Sequence, residues 1–241
     1  MALTITKHQT TPFNDQKAGT SGLRKSAKHF SQPRYVENFI QSFFNALNDD
    51  INKELGQEAR VTLMVGGDGR WFGLECVRTI LKMCAANPRI QKVIVAQNGL
   101  MSTPAVSACI RKYKTFAGII LTASHNPGGP DADFGIKFNC SNGGPALANF
   151  TDKIYTLSTK LSEYSICENF ECNVSQIGEQ AFKIENRDFS VQVIDSVQDY
   201  LELMRDIFDF NALREFFKSG VKITVNSLNG GYNTKIFFPQ I

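Results

Sequence analysis

Ser124 stands in the run Thr122-Ala123-Ser124-His125-Asn126-Pro127-Gly128-Gly129, directly after the apolar residues 118–121. A serine hydroxyl is a poor nucleophile until a neighbour takes its proton, and a phosphoserine ester is inert until its charge is neutralised. If 118–121 is a parallel strand, Ser124 lies at its carboxyl end, where open α/β sheets gather their ligands. Pro127 and the Gly128-Gly129-Pro130 turn leave little bulk around the hydroxyl and set the direction of the chain. Taken alone, Ser124-His125 also fits an exposed serine in an ordinary strand-to-loop turn. His125 can hydrogen-bond an oxyanion at Ser124 or simply fix the loop, and the residues leave both readings open.

Two cationic segments have the same double character. Gly19-Thr20-Ser21-Gly22-Leu23-Arg24-Lys25, with Lys17 and Lys28 nearby, is a basic glycine-containing loop. Glycines let backbone amides approach an anion, and the guanidinium of Arg24 is a planar fork suited to phosphate. Without further context the segment reads as a flexible basic loop. Lys137, in Gly135-Ile136-Lys137-Phe138-Asn139, reads by itself as the solvated side of a strand. Asp68 and Arg70, in Gly66-Gly67-Asp68-Gly69-Arg70, read as structural members of a turn after a strand.

The elements around these residues follow from periodicity. Val36, Phe39, Ile40, Phe43, Phe44 and Leu47 form one stripe and predict a helix over 35–48. Residues 61–65 predict a strand, Leu74 to Cys84 a second helix, and 93–96 another strand. Ser102-Thr103-Pro104 opens a third helix with a cap and an early proline. Strands over 118–121 and 135–139 and a helix over 152–162 complete the first part, and 165–188 reads as irregular. This alternation predicts an α/β fold with a mixed, largely parallel sheet and flanking helices. A new amphipathic helix begins near 197 and is followed by 211–217 and a strand over 221–225. A boundary near 195 would divide the chain into 1–195 and 196–241. The second unit is too small to hold a core of its own, because domains below about 40 residues usually need disulfides or metals and slightly larger ones are marginal. It reads as the start of a second, similar α/β domain.

Composition narrows the function classes. The 241 residues are 42% hydrophobic and 20% charged, and 26 Lys+Arg against 23 Asp+Glu leave a net charge of +3. So small an excess argues against a nucleic-acid partner or an anionic membrane surface. There is no apolar run of spanning length and no secretory signal at the start. Six cysteines without a Cys-x-x-Cys pair suggest free thiols in a reducing cytoplasm. Three scattered histidines (His8, His29, His125) argue against a histidine-built zinc site.

The full run around Ser124 resembles the active-serine signature of the α-D-phosphohexomutase family. Its continuation from Pro130 to Asn139 is similar to the phosphoglucomutase branch. The segments 11–25, 65–70 and 97–104 resemble three further conserved stretches of that family, and the resemblance runs essentially from 12 to 225. It implies the family's first domain and a phosphoryl transfer between serine and a sugar hydroxyl. The reaction implied interconverts α-D-glucose 1-phosphate and glucose 6-phosphate through glucose 1,6-bisphosphate, in cytoplasmic carbohydrate metabolism. On this resemblance Ser124 carries the phosphate and through it ligates Mg²⁺, Lys137 is the general base, and His125 contacts the phosphoryl group. Arg24 contacts phosphate or the active serine, and Thr20 and Ser21 shape the same cleft.

Other family features are missing. The Asp-Gly-Asp-Gly-Asp loop that holds magnesium, the sugar-reading loop and the distal phosphate loop do not occur. Asn226-Ser227-Leu228-Asn229-Gly230 and the final residues depart from the pattern. The sequence therefore reads as a truncated N-terminal part that is inactive alone, or alternatively as a non-catalytic phosphoprotein or interaction protein derived from the family. Sugar preference and oligomeric state are not set by these residues.

Overall fold

The computed structural model describes residues 2–19 and 21–222, together with 224, 226 and 229. Its elements in chain order begin with β1 (Thr6–Gln9), β2 (Leu23–Ser26), α1 (Ala27–Phe30) and α2 (Tyr35–Leu55). They continue with β3 (Val61–Gly67), α3 (Gly73–Ala86), β4 (Ile90–Leu100), α4 (Thr103–Lys112), β5 (Ala117–Leu121) and β6 (Asp133–Cys140). The last are α5 (Ala148–Ser158), β7 (Glu163–Ile166), β8 (Gly178–Ile184), β9 (Arg187–Ile194), α6 (Gln198–Ile207) and α7 (Phe210–Lys218).

Seven strands form one sheet in the order β2-β6-β5-β3-β4-β9-β8. The central strands β5, β3, β4 and β9 run parallel, and antiparallel pairs with β6, β2 and β8 finish both edges. Successive side chains of a strand point to opposite faces, and two cores result. Leu63, Val65, Val93, Val95, Ile119 and Leu121 join the apolar stripes of α2, α3 and α5 on one face. Met64, Ile94 and Ile120 meet Val106, Cys109 and Ile110 of α4 on the other. Strands covered on both faces read as unbroken apolar runs, and for this reason 61–65 and 118–121 were legible.

The boundaries depart from expectation in identifiable places. α2 runs on to Leu55 because Ile51 is buried one turn past Leu47, and it stops at Gly56, whose φ is +91°. α5 covers Ala148–Ser158 rather than 152–162. The stretch 165–188, expected to be irregular, contains β8 and the start of β9. β8 is an exposed edge strand whose polar side hides its alternation. β1 and β7 pair as a separate two-stranded sheet that no pattern foreshadowed.

The helix expected near 197 forms as α6 and lies against α4. Asp199 accepts from Lys112 Nζ at 2.7 Å and from the Tyr113 hydroxyl at 2.8 Å, and Tyr200 packs on the α4 core. Neither α6 nor α7 buries a residue, and Ile207, Phe208 and Phe216 remain exposed. Within the strand expected over 221–225, Ile223 and Val225 lie outside the described residues. No helix among the described residues is long and apolar enough to cross a membrane.

Candidate active site

β3 sends its chain through α3 to β4 on one side, whereas β5, on its other side, leads away to β6. The crevice beyond the carboxyl ends of β3 and β5 is therefore a switch point of the sheet, the usual ligand position in open α/β folds. Two loops meet there, Asp68–Arg70 after β3 and Thr122–Ser124 after β5. The amide of Asp68 donates to the Leu121 carbonyl at 3.0 Å and joins them.

Ser124 occupies the left-handed region, with φ +59°. For a residue with a Cβ this costs about 1–2 kcal/mol, so the surroundings must hold it. Its side chain is exposed, and Oγ lies 3.3 Å from Nδ1 of His125. In the tautomer that leaves Nδ1 unprotonated, the hydroxyl donates to the ring. Arg70 Nη2 donates to the Ser124 carbonyl at 3.1 Å, and Nη1 donates to the Asp133 carbonyl at 2.6 Å. The rest of the loop is closed by Asn126 Nδ2 on Asp133 Oδ2 at 2.7 Å. From the first turn of α1, Ala27 and Lys28 amides donate to the carbonyls of Ala132 and Pro130.

The cations arrive on β2 and β6. In their antiparallel register Arg24 faces Gly135, and Lys137 follows two residues later on the same face. A Cβ on Gly135 would sit 2.4 Å from the Thr122 carbonyl and 3.2 Å from Arg24 Cγ, so glycine lets the arginine stem and the serine loop converge. Gly22, at φ +87°, brings the preceding turn against Lys137, and a Cβ there would lie 2.7 Å from the lysine Cβ. Lys137 is half-buried; desolvation and then the charge of Arg24 hold its ammonium below the ordinary lysine value. Gly135→Ala should separate Arg24 from the serine loop and destabilise the domain by about 1–3 kcal/mol, the cost of overpacking. A denaturant midpoint indistinguishable from the parent's would refute this.

The turn carrying Arg24 is held by Asp15. Its carboxylate takes Lys25 Nζ at 3.3 Å, His29 Nε2 at 2.9 Å and the Tyr35 hydroxyl at 3.2 Å. Burial alone would raise the Asp15 pKa, but the hydrogen bond and charge of Lys25, followed by His29 and Tyr35, hold it lowered. Ser21 stands exposed at the tip between Gly19 and Gly22, which hydrogen-bond each other, and Thr20 lies outside the described residues. The structure thus gathers Arg24 and Lys137 on one face of the sheet and ties the Ser124 loop to the same strand, where the Thr122 amide donates to the Gly135 carbonyl at 2.9 Å.

No cluster of three or more His, Cys, Asp or Glu side chains among the described residues could hold a metal ion. Asp68 is engaged by Arg70 and Thr122, and Asp133 Oδ2 by Asn126. The donors present do not make up a magnesium site. All six cysteines are free.

The structure thus sets an exposed, left-handed serine at a switch point of an α/β sheet, with Arg24 and Lys137 carried on the edge-side strands β2 and β6. Comparison with known proteins gives its family. Residues 15–165 match the family model described as phosphoglucomutase/phosphomannomutase, alpha/beta/alpha domain I. Phosphoglucomutase 1 of Drosophila melanogaster is 44% identical over 249 residues, covering 100% of this chain and 43% of the relative. The cytoplasmic phosphoglucomutase 1 of Zea mays is 46% identical over 250 residues, covering 99% and 42%. A crystal structure from Paramecium, of the exocytosis-sensitive phosphoprotein pp63/parafusin (a phosphoglucomutase) in an open form, superposes with a TM-score of 0.83. It shares 44% identity and is matched over 90% of this chain and 39% of that one. The chain belongs to the phosphoglucomutase/phosphomannomutase family, whose phosphoglucomutases are isomerases, and it spans about two fifths of the length of these relatives.

Proposed function

We propose that the chain supplies the phosphoserine half of a phosphoglucomutase site that interconverts α-D-glucose 1-phosphate and glucose 6-phosphate. The observation that carries this reading is the placement of Ser124: exposed, left-handed, at the switch point, with Oγ on His125. A phosphate on Oγ would bring ~−1.5 to −2 charges to the loop after β5, and Arg24 and Lys137 on β2 and β6 are the cations this reading gives it. In the forward transfer the P–Oγ bond of phosphoserine breaks and a bond from phosphorus to a sugar hydroxyl oxygen forms. The hydroxyl proton passes to the neutral amine of Lys137, and Oγ takes a proton from His125. Glucose 1,6-bisphosphate results. Return of its other phosphoryl group to Ser124 runs the same proton movements backwards, so the cycle closes.

The remaining assignments belong to this reading. Arg24 binds phosphoryl oxygens, and Thr20 and Ser21 contribute to substrate binding. The chain divides near 195, with α6 and α7 opening a second unit. A cytoplasmic location follows the cytoplasmic phosphoglucomutase of maize.

The test uses the chain joined to the C-terminal remainder of the Drosophila relative. After incubation with glucose 1,6-bisphosphate, peptide mass mapping should find phosphate on Ser124. Phosphate on another residue with Ser124 bare would remove the central assignment. The 241-residue chain by itself, assayed in parallel with magnesium and bisphosphate, should show no sustained turnover.

A further inference from the structure

The turn after β3 and the loop after β5 are joined by a closed circuit of hydrogen bonds whose directions are all fixed. A carboxylate only accepts, so Thr122 Oγ1 must donate to Asp68 Oδ2, at 2.7 Å. With its proton spent there, the same hydroxyl accepts from the Ser124 amide at 2.9 Å. Arg70 Nη2 donates to Asp68 Oδ2 at 2.9 Å and to the Ser124 carbonyl at 3.1 Å. The path from the amide of Ser124 through Thr122, Asp68 and Arg70 thus returns to the carbonyl of Ser124. Arg70 Nε also donates to Asp68 Oδ1 at 3.0 Å, so the guanidinium meets the carboxylate as a planar fork.

We propose that Asp68, Arg70 and Thr122 are positioning residues whose hydrogen-bonded ring clamps both main-chain polar groups of Ser124 and so holds its Oγ where it meets His125. The side chains of Arg70 and Asp68 are 3% and 7% exposed, and their polar atoms are taken up by each other, by Thr122 and by main-chain carbonyls. Their action must pass through Ser124. The ring uses the main chain of Ser124 alone, leaving Oγ free to carry a phosphate without disturbing the clamp. It also accounts for a serine held where residues bearing a Cβ are disfavoured: release of either end would let the backbone return to an ordinary conformation and swing Oγ off the histidine. A lysine at 70 could keep the charge but not the two-sided fork. The proposal rests on Ser124 being the phosphate acceptor only for its consequence, since the clamp itself is a property of the unphosphorylated chain.

The test is NMR on the isotopically labelled 241-residue chain, reading amide exchange at Ser124 and the ring nitrogens of His125. Thr122→Val, which keeps the shape and removes the hydroxyl, should speed Ser124 exchange by about tenfold to a hundredfold, as for a lost buried hydrogen bond. The same variant should shift the His125 Nδ1 signal. Arg70→Lys should do likewise, whereas Thr122→Ser should restore both readings. In all three, amides of β3 and β5 should keep the parent's protection. Unchanged Ser124 and His125 signals in Thr122→Val and Arg70→Lys would overturn the proposal. So would a general loss of protection through β3 and β5, which would make the ring a folding element instead. No phosphate is involved, so these outcomes are separate from the fate of Ser124 in the mapping experiment.

Discussion

Ser124→Ala should reduce mutase turnover to the assay background in the completed enzyme while leaving the fold intact. The kinetic half follows from chemistry: without Oγ there is no atom to carry the phosphoryl group between the two sugar positions, and His125 cannot replace it in the same geometry. The structural half follows from the clamp. The bonds that hold residue 124 run from its amide to Thr122 and from Arg70 to its carbonyl, and alanine keeps both. The hydroxyl removed is exposed, with His125 as its contact. Exposed substitutions of this kind change stability by roughly half a kcal/mol. A coupled glucose 6-phosphate assay and a thermal melt together test the claim. Turnover within tenfold of the parent would sink it, and a large fall in melting temperature would show that Ser124 is needed for folding.

The parallel core and the serine loop could be read from the sequence because each part depends on local chemistry. Strands β3 and β5 are buried on both faces and so announce themselves as apolar runs, and the Ser102 cap with Pro104 marks the start of α4. Edge structure was hidden for the opposite reason. β8 and the β1–β7 pair are half exposed, and their polar alternation resembles a loop. Arg24 and Lys137 were each found as isolated cations, but their convergence depends on the β2–β6 register and on glycine at 135, which no local pattern reveals. Asp68 and Arg70 were legible as structural members of a turn. That they act on Ser124, 54 or more residues away in sequence, depends on β3 and β5 being neighbours in the sheet. The available signal was chemical: an aspartate and an arginine two residues apart, at the carboxyl end of a central strand, can be buried only as a pair.

Lys137→Met should lower turnover of the completed enzyme by roughly 10²–10⁴, the range of a general acid–base group, without loss of stability. Lys137 lies on β6 opposite Ile120 of β5, so its backbone is fixed by the sheet whatever side chain it bears. Burial first, and then the charge of Arg24, push its pKa below the ordinary lysine value of 10.5. The sign of the linkage follows: a lysine lowered in the folded state binds its proton more weakly than in the unfolded chain. Folding therefore disfavours its charged form, and stability rises as pH climbs through the folded value towards the unfolded one. Replacing it with methionine removes that penalty, so the variant should melt no lower than the parent at pH 7. Lys137→Arg would keep a cation but raise the proton affinity far above the working range, and it should not restore turnover. Arg24→Met should move the acidic limb of the pH–rate profile, where the base loses its proton, upward, because the nearby charge that depresses the lysine is gone. Turnover within a factor of two for Lys137→Met, or full rescue by arginine, would show that Lys137 supplies charge alone and takes no proton from the sugar hydroxyl.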